Sequence, residues 1–541
     1  MLPLIRHWPA LARWLVAVLA VAAIALSLVQ LQRQEQGLRI TDHKVGETPV
    51  RVFRPVQADK APVVVIAHGF AGSQQLMQPF ALTLAKNGYV AVTFDFTGHG
   101  RNPVPMRGDV DEPTRITGVL VAETGRVADF ARALPESNGR IAILGHSMAS
   151  DIVIRHAQAH PEVEATIAGS VFSPAATGER PGNLLIIIGS LEPSMLINEG
   201  LRIINLSVGG GAEPGRSYGD FKDGSARRLA LSSGVEHIGV LYSQDSMREA
   251  LQWVNEAFGR HGDGWIDRRP IWMALLFAGL IALAWPLSRL LPQAAPEPMG
   301  ASLTWKQLLP AALLPAVLTP LILWKAPTEF LIILLGDYLT LHFLVYGLLT
   351  AAIVLYLQRR TRTGLFQPRP RPLPAPHHGP GTRLDRFLAS GTVVPSAGKI
   401  AIAALAVSAY NIFAFGWPLN EYAFSFMPIE PRLHLIAAVA VGSVIYFVTA
   451  EWMSHGKHAR RGAYALVKLC FLLSLAIAVA LNLKKLFFLI IIVPAILLLF
   501  LAFGLISNWS YRATNHPLPG ALANAAVFAW AIGITFPMVI R

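Results

Sequence analysis

The hydrophobic and polar positions of this chain follow three different patterns. An apolar run from Trp14 to Leu31 is long enough to cross a bilayer, because about 20 helical residues span about 30 Å. From about 32 to 267, short β-branched runs alternate with helical repeats, and beyond Arg268 long apolar stretches follow one another. The patterns predict an N-terminal transmembrane anchor (1–31), a globular domain (32–267) and an all-α polytopic membrane domain (268–541).

The apolar stretches of the third region predict about eight membrane helices, or about nine spans with the first run. They lie at approximately 271–291, 308–325, 338–357, 398–417, 433–452, 463–482, 486–507 and 519–540. The segment Glu329–Leu335 is apolar but short, so we expect a re-entrant or interfacial piece there. For the first run, a cleaved signal peptide is the alternative, since Ala23 and Ala25 could form a cleavage site.

In the globular domain, five short runs are apolar on both faces, which is typical of strands in a buried parallel sheet. These runs are Val63–Ala67, Val90–Phe94, Ile141–Leu144, Ala165–Val171 and Leu184–Ile188. The helical patterns between them are about Gln74–Asn87, Ile116–Leu134, Met148–Ala159 and Pro193–Asn205. This alternation predicts an α/β fold, with a mostly parallel sheet and helices on both of its faces.

Composition and charge narrow the class of protein. Of the 541 residues 53% are hydrophobic and only 15% are charged, which is too apolar for an ordinary soluble enzyme. A single cysteine excludes a disulfide framework and a cysteine-based zinc cluster. The net charge of +13 is not a nucleic-acid signal, because residues 32–267 carry 22 Lys/Arg against 26 Asp/Glu. The excess positive charge lies in the apolar regions, so we expect a lipid bilayer as partner and no nucleic acid.

The basic residues of the membrane half predict its orientation. The loop between about 358 and 399 is rich in arginine, and a later loop carries Lys457, Arg460 and Arg461. The positive-inside rule makes both loops cytoplasmic and outweighs Lys484–Lys485, which point the other way. With about nine spans, the globular domain is then extracytoplasmic and the chain is a multi-pass protein of an inner or plasma membrane.

The most informative residues are Gly145-His146-Ser147-Met148-Ala149, which lie between the predicted strand Ile141–Leu144 and a predicted helix. Small residues two before and two after the serine let the neighbouring backbone approach a sharp strand-to-helix turn. The helix N-terminus adds positive potential beside the hydroxyl group. The motif predicts Ser147 as a catalytic nucleophile, and a structural turn is the alternative.

A glycine-permissive loop follows an earlier strand of the predicted sheet. Its sequence, AHGFAGS, covers Ala67–Ser73. A loop at that strand end can direct a backbone N–H at a reacting carbonyl oxygen. We expect the N–H groups of Phe70 and Met148 to form an oxyanion hole, whereas a simple glycine turn is the alternative.

A serine nucleophile needs a base, and on this architecture the base is the last of the three catalytic residues in chain order. His237 follows the strand-like run Arg228–Leu231 and precedes an apolar helix, so it is the best candidate. His156 and His160 lie along the helix after the serine and are expected at the surface.

The acid that orients the base should follow the strand Leu184–Ile188, where the sequence reads Gly-Ser-Leu-Glu-Pro. Glu192 therefore takes the acid role. Asp95 is the rival, although its glycine-rich surroundings favour a role in fixing a loop, and Glu236 is expected to be exposed.

The run His68–Asn102, together with GHSMAS, GSLEP and GVEH, resembles the α/β-hydrolase superfamily, nearest to its dienelactone-hydrolase-like and serine-aminopeptidase-like branches. The likeness covers roughly residues 45–260. It departs from the family at Glu192, where Asp is more frequent, and at Ala149, which replaces a glycine. The resemblance implies Ser147 as nucleophile, His237 as base, Glu192 in the acid position, and Phe70 and Met148 as backbone oxyanion donors.

These inferences predict a membrane-bound serine hydrolase without metal or organic cofactor, acting on an ester or thioester of a lipid or cell-envelope component. An acyltransferase or a peptidase would use the same triad. A transporter or assembly protein with the hydrolase domain as a binding module is the alternative of another class. Only Phe172–Asn183 separate two predicted strands, which leaves no room for a helical cap, so we expect an uncapped site with at most a modest lid from Gly209–Gly224.

Overall fold

The computed structural model describes residues 2–57, 60–108, 113–261, 264–362 and 395–540. Most of the arginine-rich loop between 358 and 399 lies outside the described residues.

The globular domain is built on one twisted sheet whose strand order is β1-β2-β4-β3-β6-β7-β8-β10-β9. The six strands from β4 to β10 in that order run parallel, and β1, β2 and β9 are antiparallel to their neighbours. The described strands are β1 (Leu38–Val45), β2 (Thr48–Pro55), β3 (Ala61–Ala67), β4 (Val90–Phe94), β5 (Met106–Arg107), β6 (Ser137–His146), β7 (Val163–Gly169), β8 (Leu184–Gly189), β9 (Ser217–Tyr218), β10 (Arg227–Ser232) and β11 (Val539–Ile540).

Helices cover both faces of this sheet, as the sequence predicts. One face packs against α2 (Gln78–Lys86) and α6 (Gln244–Phe258), and the other against α3 (Pro113–Arg132), α4 (Met148–Ala159) and α5 (Ser194–Val208). Every residue of β3 and β4 is buried, because each face of these central strands meets a layer of helices. The prediction of an α/β fold is confirmed.

The membrane half and the N-terminal helix form a helical bundle. Among the described residues, nine helices are long and apolar enough to cross a membrane. Ten helical segments make up these nine candidate spans. They are α1 (Leu2–Glu35), α7 (Arg269–Leu287), α8 (Trp305–Leu323), α9 (Gly336–Arg362), α10 (Ala397–Ala409), α11 (Gly416–Tyr422), α12 (Glu430–Ser454), α13 (Ala463–Leu481), α14 (Leu483–Thr514) and α15 (Leu518–Thr535). Helices α10 and α11 together make one candidate span, joined by a π-helical turn.

Two expectations about the membrane half need correction or remain open. The last predicted helix, 519–540, ends early: α15 stops at Thr535, and Val539–Ile540 is a strand. The segment Glu329–Leu335 is not helical, and within it Ile333 bridges Met538. Whether this segment enters the bilayer stays a prediction, as do the three domain boundaries.

The sheet of the globular domain and the helical bundle meet along a seam of hydrogen bonds. Strand β11 pairs in parallel with β5, and Met538 exchanges backbone hydrogen bonds with the loop around Gly98 and Met106, at 2.8 and 2.9 Å. Arg432, buried at the start of α12, donates to the carbonyl oxygen of Gly98 (2.8 Å) and to those of Gly533 and Phe536 (3.0 and 2.9 Å). The buried guanidinium of Arg432 therefore forms hydrogen bonds to both halves of the molecule.

Candidate active site

The turn between β6 and α4 carries the predicted nucleophile. Ser147 has φ 55° and ψ −118°, a strained backbone conformation with positive φ that a non-glycine residue adopts only when its surroundings enforce it. Its N–H donates to the carbonyl oxygen of Gly169 at 2.8 Å, and its own carbonyl oxygen accepts from Ser150 at 2.8 Å. A Cβ at Gly145 would lie 2.4 Å from the carbonyl oxygen of Ala149, so the turn requires a glycine there. The strained turn presents the hydroxyl at the carboxyl edge of the sheet.

His237 reaches this hydroxyl from the loop after β10. Its Nε2 lies 2.9 Å from Oγ of Ser147. The carbonyl oxygen of His237 accepts a hydrogen bond from Nε2 of the buried His146 at 2.9 Å, which fixes the backbone that carries the base. Burial, with the nearby His237 as a second cause, holds the pKa of His146 well below its usual value. His146 is therefore a neutral donor, and its bond orients the loop without adding charge beside the base.

Glu192 follows β8 and contacts the ring nitrogen of His237 that faces away from Ser147. Its Oε2 lies 2.7 Å from Nδ1 of His237, while Oε1 accepts from Oγ of Ser170 (2.7 Å) and the N–H of Gly189 (2.8 Å). The carboxylate is fully shielded from solvent. Because a carboxylate at Nδ1 keeps the proton on that nitrogen, Nε2 is left as an acceptor facing Ser147.

The two residues expected to supply oxyanion donors lie near the serine: Met148 follows it in the chain, and Phe70 lines the same pocket. Among the described residues, neither the N–H of Phe70 nor that of Met148 donates to a protein acceptor. The loop of Phe70 packs so closely on the nucleophile that a Cβ at Gly69 would lie 3.0 Å from Cβ of Ser147. His68 holds this loop, donating from Nδ1 to the carbonyl oxygen of Gly69 at 2.8 Å and accepting at Nε2 from the next strand's loop. An oxyanion hole formed by these two N–H groups stays a prediction.

The rival residues have other partners. Asp95 accepts from the backbone of Gln74 (2.7 Å) and Arg101 (3.0 Å), so it fixes two loops. Glu236 is exposed and accepts from the N–H groups that begin the next turn. The expectation of a surface His156 is wrong: it is 3% exposed, because α4 presses it against α3.

Two further residues at this site were not predicted. Ser170, the second partner of Glu192, lies just beyond the carboxyl end of β7, and a small polar residue at that strand end was the only available signal. Phe488 belongs to α14 of the membrane half, and its ring stacks on Phe70 with 4.1 Å between centroids. No local pattern marks such a long-range contact.

A small pocket beside Ser147 is bounded on one side by this aromatic pair, and Ser147 itself is partly exposed. No helical cap is inserted before β8, and a side chain of α14 lines the pocket. The glycine-rich stretch 209–224 does not line the pocket. The lining residues are Gly69, Phe70, Gly72, Leu76, Met77, His146, Ser147, His237, Ile238, Leu241 and Phe488.

Within the part of the chain that the structure describes, no group of three or more His, Cys, Asp or Glu side chains could hold a metal ion.

Comparisons with known proteins concern the hydrolase-like half. A family model described as serine aminopeptidase, S33, matches residues 58–207. A dienelactone hydrolase from Anabaena variabilis is 16% identical over 41% of this chain and 96% of its own, with a TM-score of 0.29. An esterase from Pyrobaculum calidifontis is 15% identical over 45% of this chain and 93% of its own, with a TM-score of 0.31. No curated protein matches this chain.

Proposed function

Residues 58–207 lie in an α/β-hydrolase domain joined to a bundle of apolar helices, and from this premise we propose that the protein is a membrane-bound serine hydrolase. It would cleave a carboxylic ester, or a thioester, in a lipid or cell-envelope substrate. The observation that carries the proposal is the hydrogen-bonded chain from Oγ of Ser147 through His237 to Glu192, with distances of 2.9 and 2.7 Å.

The chemistry follows from that chain. Ser147 attacks the ester carbonyl while Nε2 of His237 takes the hydroxyl proton, and Glu192 stabilises the imidazolium that results. The N–H groups of Phe70 and Met148 receive the negative charge that develops on the carbonyl oxygen. His237 then gives the proton to the leaving alkoxide, and a water molecule activated by the same histidine hydrolyses the acyl-enzyme.

The pocket walls support an apolar acyl group. Leu76, Met77, Ile238 and Leu241 surround the serine, and Phe488 brings a side chain from the membrane half. No carboxylate lines this pocket among the described residues, although an aminopeptidase would need one to hold the ammonium group of its substrate. The lining therefore favours an ester with a hydrocarbon chain over the free N-terminus of a peptide.

The contacts between the halves support the expected membrane orientation. The segments that touch the hydrolase domain, at Ser425, at Phe488 near the start of α14 and at Met538, come from the same end of the bundle. Helix α12 has 25 residues, so its far end, before Arg460, lies about 37 Å away. The hydrolase domain is thus opposite the basic loop, as a positive-inside protein with an extracytoplasmic domain requires.

A fluorophosphonate probe tests the proposal on the full-length protein. The wild type should be labelled, Ser147→Ala should not, and the exposed Ser233→Ala should be labelled like the wild type. Hydrolysis of a series of acyl esters by the wild type should disappear in Ser147→Ala. Equal labelling of all three proteins would overturn Ser147 as the nucleophile.

The same triad would serve an acyltransferase or a peptidase, and a transporter with a binding module would need none of it. Product analysis with a hydroxyl acceptor separates transfer from hydrolysis, because transfer yields an acylated acceptor in place of the free acid.

A further inference from the structure

A second and larger cavity lies at the opposite end of the bundle from Ser147. It has a volume of about 640 Å³ and opens between the start of α13 and the last turns of α14. It shares no lining residue with the pocket at the serine. From Phe488 to Arg512, α14 extends about 36 Å, so one helix connects the two sites.

The mouth of this cavity is cationic. Arg460, Arg461 and Arg512 line it, and within the described part of the chain none of the three forms an ion pair with a carboxylate. The neighbouring Lys457, by contrast, is paired with Glu297 at 3.2 Å and does not line the cavity. Unpaired guanidinium groups converging on a cavity create a positive potential that favours an anionic ligand.

One wall of the cavity is apolar and faces outward from the bundle. Leu469, Leu497 and Leu501 line it and are 59%, 50% and 63% exposed. On helices that are apolar enough to cross a membrane, such leucines are covered by hydrocarbon chains. A ligand held at the arginines could therefore extend along this wall into the bilayer.

The deep end of the cavity carries no net charge. Lys468 is 5% exposed, and its Nζ lies 3.3 Å from Oε1 of Glu451 and within 5.5 Å of the centroids of four aromatic rings. Ser507 donates to the other oxygen of Glu451 at 3.1 Å. Because the buried carboxylate offsets the ammonium group, the charge available to a ligand is that of the arginines at the mouth.

We propose that this cavity binds an anionic glycerophospholipid, with its phosphate at Arg460, Arg461 and Arg512 and its acyl chains along the leucine wall. The arrangement of the cavity matches that of such a lipid. The arginines lie where the charged headgroup would be, at the membrane surface, and the leucines lie where its hydrocarbon chains would be. The site is independent of the hydrolase reaction, and it lies on the side predicted to be cytoplasmic.

Lipid binding by the full-length protein, purified in a mild detergent, tests the proposal by native mass spectrometry. Phosphatidylglycerol should bind at least tenfold more tightly than phosphatidylcholine with the same acyl chains. Glycerol 3-phosphate, the headgroup chemistry without the tails, should bind at least tenfold more weakly than phosphatidylglycerol. Equal binding of the two lipids, or of glycerol 3-phosphate and phosphatidylglycerol, would overturn the proposal.

Substitutions of the residues that line the cavity test where the lipid binds. Arg460→Gln/Arg461→Gln should weaken phosphatidylglycerol binding at least tenfold, whereas Lys457→Gln, on the same loop, should change it less than twofold. Leu501→Trp, which narrows the cavity from its apolar wall, should also weaken binding. Melting temperatures close to that of the wild type show that the variants are folded. Unchanged binding in the folded double variant would place the lipid elsewhere and refute the site.

Discussion

The ring of Phe488 stacks on the ring of Phe70 with 4.1 Å between centroids and 24° between planes. One ring belongs to a helix of the membrane half, and the other to the loop whose N–H is the proposed oxyanion donor. The pair lines the pocket beside Ser147 on the side of the bundle. One wall of this pocket is therefore an aromatic side chain of the membrane half.

Replacing Phe488 should lower the hydrolysis of long-chain esters but not that of short ones. In Phe488→Ala, we expect the kcat/KM for long-chain esters to fall about tenfold, because the loss of one aromatic contact removes about 1–1.5 kcal/mol. The kcat/KM for a short soluble ester should stay the same or rise, since the pocket is more open. The comparison needs the two substrates assayed in the same detergent.

The neighbouring Phe487 provides the control, because it is 42% exposed and does not line the pocket. Phe487→Ala should leave both rates within twofold of the wild type. An equal loss for long and short esters in Phe488→Ala would indicate a damaged site and would contradict a role in acyl-chain recognition.

The buried carboxylate of Glu192 should be essential for a high kcat but not for folding. In Glu192→Gln the amide oxygen can still accept from Ser170 and Gly189, but the amide nitrogen then faces Nδ1 of His237 and favours the wrong tautomer. We expect kcat to fall by about 10³–10⁴ with little change in KM. Steady-state kinetics on a short ester measures this loss.

The exposed Glu236, next to the base in sequence, is the matched control for that variant. Glu236→Gln should retain kcat within about twofold. If Glu192→Gln retained comparable activity, a different residue would have to orient the histidine.

Several buried histidines make the stability of the hydrolase domain depend on pH. Burial lowers the pKa of His68, His99 and His146, and it lowers the pKa of His156 to about 4 from an ordinary 6.5. The folded protein keeps these rings neutral, whereas the unfolded chain binds protons below about pH 6.5. Stability is therefore lost as the pH falls below 6.5, by up to about 1.4 kcal/mol per pH unit for each ring.

Thermal unfolding between pH 7.5 and 5 tests this dependence. The melting temperature should fall toward pH 5, and His156→Gln should make the fall less steep, whatever its effect at pH 7.5. The exposed His43 serves as control, and His43→Gln should leave the slope unchanged. A melting temperature independent of pH would show that these rings do not stay neutral in the folded protein.

The guanidinium at the seam should hold the two halves together. Arg432→Met removes hydrogen bonds to three carbonyl oxygens, and a charged donor contributes about 1.5–3 kcal/mol for each. We expect a loss of at least about 3 kcal/mol in stability, visible as a lower melting temperature and faster proteolysis between the halves.

The exposed Arg268, at the junction before α7, is the control for that substitution. Arg268→Met should melt within 2–3 °C of the wild type, since a surface residue typically contributes about 0.5 kcal/mol or less. If Arg432→Met were as stable as the wild type, contacts other than those of Arg432 would hold the two halves together.

Topology can be tested with the chemistry of a single cysteine, because Cys470 is buried. In intact cells, a membrane-impermeant maleimide should label Ser233→Cys but should label His458→Cys only after permeabilisation. The reverse result would place the hydrolase domain in the cytoplasm.

The central strands could be predicted because β3, β4, β6, β7 and β8 are buried on both faces, so their hydrophobic runs are continuous. Strands β1 and β2, at one side of the sheet, were not predicted, since one face of each is partly exposed and charged residues interrupt their patterns. Strands β5 and β11 have two residues each and exist only because distant parts of the chain meet. No local signal could identify them.

The arrangement at Ser147 was more predictable than its surroundings. A strand-to-helix turn and the carboxyl ends of parallel strands bring Ser147, Glu192 and His237 to one edge, so their order in the chain was enough to nominate them. The position of Phe488 at the pocket depends on how two independently patterned halves pack, and hydrophobic periodicity contains no information on that. The role of each nominated residue stays a prediction until the kinetics above are measured.

The pairing of Val539 with Met106 has a consequence for biosynthesis. The loop around Gly98 and Met106 leaves the ribosome early, but its partner strand is made only after α15, when all the helices before it have been synthesised. Until then Met106 has no strand partner and Arg432 lacks the carbonyl oxygens of Gly533 and Phe536, so the contacts that join the two halves are completed last in synthesis.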